Sequence, residues 1–332
     1  MNAQAATIVA IGNHSIERAH CDPDGRWQVT KHLTTQNPAT LAVDPHRPAI
    51  LYAGTNGHGA YRSADGGVHW EPIGPAGKTV KSLAAAPHND EILYAGVKPA
   101  GVWKSTDGGR SWFELDGFRR IPNRWWWFSP AETPFQAYVM SLTVSPTEPD
   151  VVLAGIELGA VVRSPDGGRT WSTHRPGALR DCHDLKFHCG DGSWAYQAGG
   201  TGGGAAVSRD GGQSWQQPRA GLAEHYGVAC AADPAHPEVW YVAVGPSPRN
   251  AFGNAPQAYL YRTSGGSDWQ AIGWEPLPMG EMPTALATDP QAPGHLYVGT
   301  RHGSVYHSAD FGDHWRKLPF EFDGVWMSLV VI

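Results

Sequence analysis

Short apolar runs separated by turn residues recur along the whole chain. One run reads LYAGT (51–55), LYAGV (93–97), VLAGI (152–156), YQAGG (196–200), YVAVG (241–245) and LYVGT (296–300). About ten residues before each lies a second run that ends in a turn: TLAVDP (40–45), SLAAAP (82–87), SLTVSP (141–146), DLKFHC (184–189), ACAADP (229–234) and ALATDP (285–290). Two more apolar runs follow each copy. Runs this short, bounded by Gly, Pro and Asp, predict β-strands rather than helices. Four per copy, labelled A to D in chain order, predict a four-stranded antiparallel sheet.

The turn between strands C and D is itself a repeated box. It reads SADGGVHW (63–70), STDGGRSW (105–112), SPDGGRTW (164–171), SRDGGQSW (208–215) and SADFGDHW (308–315), with worn copies HCDPDGRW (20–27) and TSGGSDW (263–269). The closing tryptophans, Trp27, Trp70, Trp112, Trp171, Trp215, Trp269 and Trp315, are spaced by 43, 42, 59, 44, 54 and 46 residues. A four-stranded sheet at this period is one propeller blade, which must stack on neighbours to bury both faces. The C-terminal WMSLVVI matches a strand A, and the N-terminal TIVAIG matches a strand B. The expectation is all-β: a single seven-bladed β-propeller of four-stranded antiparallel blades. The ring would be closed by one C-terminal and three N-terminal strands, which removes open sheet edges. Residues 1–332 then form one domain, with blade 7 shared by 7–30 and 326–332.

Composition agrees with this class. Apolar residues make up 41% and charged residues 17%, with 41 Gly, 27 Pro and 15 Trp. A net charge of −6 and a pI near 6.2 argue against a nucleic-acid or anionic-membrane surface. The four cysteines (Cys21, Cys182, Cys189, Cys230) do not make a disulfide framework. The N-terminal apolar run, Ala6 to Ile11, is too short for a signal-peptide core. A cytoplasmic protein is expected.

The pattern Ser-x-Asp-x-Gly-x-x-Trp, present five times in good form, resembles the Asp-box or bacterial neuraminidase repeat. Similar repeats occur in sialidases, xyloglucan-cutting glycosidases, sortilin-type receptors and photosystem II assembly factors, so the resemblance implies a fold and leaves activity open. It implies that Asp65, Asp107, Asp166, Asp210 and Asp310 hold the C–D turn. Asp oxygens accept turn amide protons and Gly supplies positive φ, which supports the same structural role. The tryptophan is then an apolar wedge between blades. FRRIP (118–122) resembles the sialidase motif Phe-Arg-Ile-Pro but carries an extra Arg and follows two boxes. Sialidases have six blades and a Tyr–Glu nucleophile pair that cannot be placed here, so sialidase activity is not expected.

In such a propeller the C–D and A–B turns share one face, while B–C loops and D–A connections share the other. Enzymes with these repeats carry their active sites on the second face. Two insertions fall there. The connection from Trp112 to Leu142 spans 30 residues where others take 13 to 17, and it holds GFRRIPNRWWWFSPAETPFQAY (117–138). The blade 5 B–C loop, 245–258, is also long. Long loops on a regular scaffold mark function or mobility. Trp125, Trp126 and Trp127 suit either a lid on the rim or a stacking platform for a sugar, and Arg120, Arg249 and Arg301 suit an anionic substrate group.

Histidines give the second signal. His14, His58 and His302 lie in B–C loops of adjacent blades, and His183 and His225 in D–A connections. His14, His58 and His302 are candidate ligands for a divalent transition metal, since imidazole binds such ions and also serves as a base near neutral pH. His183, His225, Asp184 and Glu281 are the candidate catalytic groups; Asp181, Glu157, Glu224 and Asp323 are further acids expected on that face. Two functions are consistent with these residues. One is a hydrolase or lyase acting on a saccharide or other small polar substrate, with histidine or metal assistance. The other is a non-catalytic propeller that binds a protein partner or ligand.

Overall fold

The computed structural model describes residues 7–200, 202–265 and 268–332. Its strands form seven antiparallel sheets, five in the order A-B-C-D and two in the order A-B-C from one edge to the other. Blade 7 is closed as the repeat arithmetic requires. Strand A, Leu329–Val331, pairs with strand B, Thr7–Ile11, placing Ile8 opposite Val331 and Ala10 opposite Leu329. Five blades carry four full strands. In blades 3 and 4 strand D shrinks to short hydrogen-bonded contacts, such as Ser172 N to Arg163 O and the Val207–Gln216 bridge. Only two short helices occur among the described residues, Asp116–Arg119 and Pro248–Phe252, besides one 3-10 turn, Arg124–Trp126. No described helix is long and apolar enough to cross a membrane.

Alternation along the strands sends apolar side chains to both faces of each blade, so the core is divided among the junctions. Seven clusters of buried apolar side chains result, one between each pair of neighbouring blades. Each box tryptophan enters the cluster it shares with the preceding blade: Trp112 packs with Ile73 between blades 1 and 2, and Trp269 with Trp240 between blades 4 and 5.

The boxes are hydrogen-bonded turns. In blade 3, Ser164 Oγ donates to Asp166 Oδ1 at 2.9 Å and accepts from Gly168 N at 2.8 Å. Asp166 Oδ1 also accepts from Thr170 N at 2.8 Å, and Trp171 Nε1 donates to Gly168 O at 3.0 Å. Asp65, Asp107, Asp210 and Asp310 accept from the equivalent serine and turn amide. Trp215 departs from the set: it is deeply buried and its Nε1 has no partner among the described residues.

Six of the inner strands share one irregularity. In blades 1 to 6 the A–B register slips by one residue near the start of strand A. The extra residues are Ala39, Lys81, Met140, His183, Val228 and Thr284. A bulge re-aims the side chain it inserts, so one register position recurs at the mouth of the ring on the loop face.

Candidate functional site

His183 occupies that bulge in blade 4, between Cys182 (paired with Gly199) and Asp184 (paired with Ala198). Its ring meets two carboxylates. Nε2 lies 3.6 Å from Asp181 Oδ1 and 3.8 Å from Glu157 Oε2. Asp181 stands two residues upstream, at the end of the D–A connection, and Glu157 opens the blade 3 B–C loop directly after strand B, Val152–Ile156. All three are buried, with 9% or less of each exposed. Among the described residues they are the one group of His, Cys, Asp or Glu whose potential ligand atoms lie within 4.8 Å of one another.

The surroundings hold this geometry. His183 Nδ1 bonds the Gly227 carbonyl of blade 5 at 2.6 Å, and Tyr226 meets the ring edge-on at 5.0 Å. Asp181 Oδ1 accepts from Leu158 N at 3.3 Å. Gly200 is required beside it, because a Cβ there would collide with the Asp181 carboxylate. Burial, then the charges of Asp181 and Glu132, push the Glu157 carboxyl up to about 8, against the opposing pull of Lys81. Glu157 therefore keeps its proton at neutral pH.

The first insertion adjoins the cluster. Phe118 is fully buried between blades 2 and 3, where it meets Trp127 at 5.8 Å and Trp171 edge-on at 5.4 Å. FRRIP is thus anchored by its Phe and Ile121, and Arg119 and Arg120 face solvent. Trp127 lies against Gly159 in the Glu157 loop. Trp125 and Trp126 are 71% and 70% exposed and stack on each other at 4.2 Å. The three tryptophans therefore divide between lid and platform. The segment returns through Glu132, which binds the part-buried Lys81 and Lys98 at 2.7 and 3.2 Å.

The second insertion spans toward blade 7. Its helix Pro248–Phe252 carries Phe252, which stacks near Trp326 at 6.2 Å and meets Tyr226 at 6.4 Å. Arg301 lies over Phe252 and Trp326, at 5.8 and 5.4 Å; Arg249 is exposed. His183, Tyr226, Phe252 and Trp326 thus form a line of aromatic contacts.

Several candidates from the sequence stand outside the cluster. Asp184 follows the bulge and turns to blade 5, accepting from Lys186 Nζ at 2.7 Å and Cys230 N at 3.0 Å. Glu281 is half-buried with Oε2 unpaired among the described residues, and its charge acts on Tyr306 and Lys317 of the outer strands. His14, His58, His225 and His302 are each exposed and do not belong to the carboxylate–imidazole group. Asp323 is engaged by Lys31 at 2.7 Å and Asn13 N at 3.0 Å. A cavity of about 880 Å³ lies elsewhere: an open groove between blades 1 and 2 lined by Arg62, Lys78, Trp103 and Trp112. It is wide, but among the described residues it brings together no comparable set of potential ligand groups, so the His183 cluster is the stronger candidate.

No family model and no curated protein sequence matches the chain. Solved structures do. An ancestral GH74 enzyme gives a TM-score of 0.64 at 17% identity, over 89% of this chain and 38% of that one. The GH74 xyloglucanase from Xanthomonas campestris gives 0.63 at 21%, over 85% and 45%. YCF48 bound to D1 peptide gives 0.60 at 12%, over 96% and 86%. The chain spans less than half the length of these two GH74 enzymes. At these identities the likeness establishes the propeller fold alone.

Proposed function

We propose that the loop face takes a saccharide or another small polar ligand and acts on it by proton transfer, as a hydrolase or lyase. The observation that supports this most is the meeting of Glu157 and Asp181 at Nε2 of His183, beside a segment that exposes a stacked tryptophan pair. A carboxyl that keeps its proton at neutral pH can donate it, and an imidazole nitrogen facing it can accept one. Indole faces bury the apolar face of a sugar ring well. The GH74 enzymes of like fold favour a saccharide over other polar ligands.

Binding would be read as quenching of tryptophan fluorescence by a panel of neutral and acidic oligosaccharides, and turnover by product analysis. Trp125→Ala and Trp126→Ala are each expected to weaken binding up to about tenfold, given the magnitude of aromatic contacts. Glu157→Gln should abolish turnover while binding persists. The reading fails if no saccharide quenches, or if turnover survives Glu157→Gln.

A protein-binding role has its own support. Trp125, Trp126, Phe128 and Phe135 are all at least half exposed, an apolar surface of the kind that partners cover. YCF48, most of whose length this chain matches, has been seen with a peptide. A peptide ligand whose binding is lost in Trp125→Ala, with no saccharide response, would favour this role.

A further inference from the structure

We propose that Glu157, Asp181 and His183 form a site for one divalent transition-metal ion where blades 3 and 4 meet at the loop face. The distances are close to those of a site waiting for its ion. Ligand atoms around a four-coordinate ion with bonds of 2.0–2.2 Å stand about 3.3–3.6 Å apart. Nε2 of His183 is 3.6 Å from one carboxylate oxygen and 3.8 Å from the other. Those two separations exceed the tetrahedral range by at most a few tenths of an ångström, and all three ligand atoms lie within 4.8 Å of one another. One imidazole and two carboxylates suit zinc, manganese or ferrous iron.

The orientation of His183 is an independent sign. Its Nδ1 is spent on the Gly227 carbonyl at 2.6 Å. A carbonyl only accepts, so Nδ1 carries the hydrogen, and in the neutral ring Nε2 presents its lone pair to the carboxylates. Metal-bound histidines are held in this way by their other nitrogen. Nor is Nε2 within hydrogen-bond distance of either carboxylate, so these contacts do not already use it as a donor in a tight ion pair. The neighbouring cation, Lys81, is taken up by Glu132 at 2.7 Å. Binding an ion would displace the Glu157 proton, and Glu157 and His183 Nε2 would then serve as ligands in place of proton donor and acceptor.

Three protein ligands leave at least one coordination position for water or a substrate oxygen, the arrangement of a catalytic rather than a structural site. An ion there would polarise that oxygen or lower the pKa of the water. Ion binding is measured without any substrate, so this proposal and the saccharide reading can fail separately.

The test titrates the purified full chain with Co²⁺ and then with Zn²⁺, after chelator treatment and desalting. The expected result is one equivalent of metal per chain by elemental analysis, and a visible cobalt band that zinc displaces. The band and the bound metal should be lost in Glu157→Gln, Asp181→Asn and His183→Ala, each checked for native near-UV circular dichroism. His58→Ala and His302→Ala, on the same face but outside the cluster, should keep both. A wild-type chain that retains no stoichiometric metal overturns the proposal, whatever the variants do. So does a folded Glu157→Gln or Asp181→Asn chain that binds cobalt as the wild type does, or loss of the band in His58→Ala or His302→Ala instead.

Discussion

The ring of His183 in blade 4 is tied by Nδ1 to the carbonyl of Gly227 in blade 5, at 2.6 Å. This bond crosses a blade junction and sets which ring nitrogen faces Glu157 and Asp181. It predicts a single tautomer: His183 should carry its proton on Nδ1 when neutral. Long-range nitrogen–proton correlation spectra of selectively labelled protein would show this directly. Finding the hydrogen on Nε2 would remove the lone pair from the carboxylate side, and with it both the base and the metal ligand.

The boxes stand on the opposite face and hold structure. Asp166 accepts from Thr170 N at 2.8 Å, Ser164 Oγ at 2.9 Å and Thr170 Oγ1 at 2.6 Å, so Asp166→Ala leaves a turn amide and two hydroxyls without this partner. The expected cost is about 1–2 kcal/mol, the loss of a capping-type carboxylate. Gly212→Ala should cost more, roughly 2–3 kcal/mol, because φ there is +80° and the new Cβ would stand 2.6 Å from Leu153 of blade 3. Both losses would be read from urea unfolding midpoints. Ligand affinity on the loop face should be unchanged in Asp166→Ala; a change there would contradict the separation of the two faces.

Much of this was legible before any coordinates, for a physical reason. Seven tryptophans at a period near 43, lengthened by two insertions, report blade count and register, because each must reach the equivalent interblade cluster. The candidate site was less legible. Repeat position puts Glu157 and Asp181 in loops of one face, but their meeting with His183 depends on a bulge that slips the register by one residue. Asp184 lies next to His183 in sequence, and the same bulge turns it toward Lys186 and Cys230 instead. A signal was present: the residue just before each strand A element reads Ala39, Lys81, Met140, His183, Val228 and Thr284, so an ionisable side chain is an exception at that register. The shortening of strand D in blades 3 and 4 had no such signal, since their boxes are in good form.

Glu132 ties the aromatic insertion to the ring. It joins Lys81 and Lys98, whose side chains are only 10% and 8% exposed, and both amines lie over the Tyr138 ring at 5.3 and 5.6 Å. Glu132→Gln would leave two largely buried ammonium groups without their counter-charge. A loss of roughly 2 kcal/mol is expected, held below the cost of breaking a fully buried pair because Glu132 is partly exposed. Amide exchange across 124–131 should quicken. Adding Lys98→Met should recover part of the stability. Unaltered exchange in Glu132→Gln would show that Phe118 and Trp127 alone hold the insertion.

Stability should also fall on mild acidification, through His307. The ring is buried, stacks with Tyr297 at 4.3 Å, accepts from Arg316 Nε at 3.0 Å and bonds His295 at 3.1 Å. Burial, then the charges of Arg316 and His295, lower its pKa from 6.5 to about 4, against a weaker opposing effect of Asp310. Above about pH 6.5 the ring is neutral in both folded and unfolded chains, so its contribution is fully present. Below that the unfolded chain takes up a proton that the folded chain resists, and stability drains away until the folded ring titrates near 4. The loss through this window is up to about 3 kcal/mol. His174 is lowered to about 4 in the same sense, chiefly by burial, and adds to the slope. His307→Gln should therefore start less stable at pH 7, with the Arg316 bond weakened, yet lose less between pH 6.5 and 4 in urea titrations. An equal slope in the wild type and His307→Gln would mean that the charge is accommodated without cost.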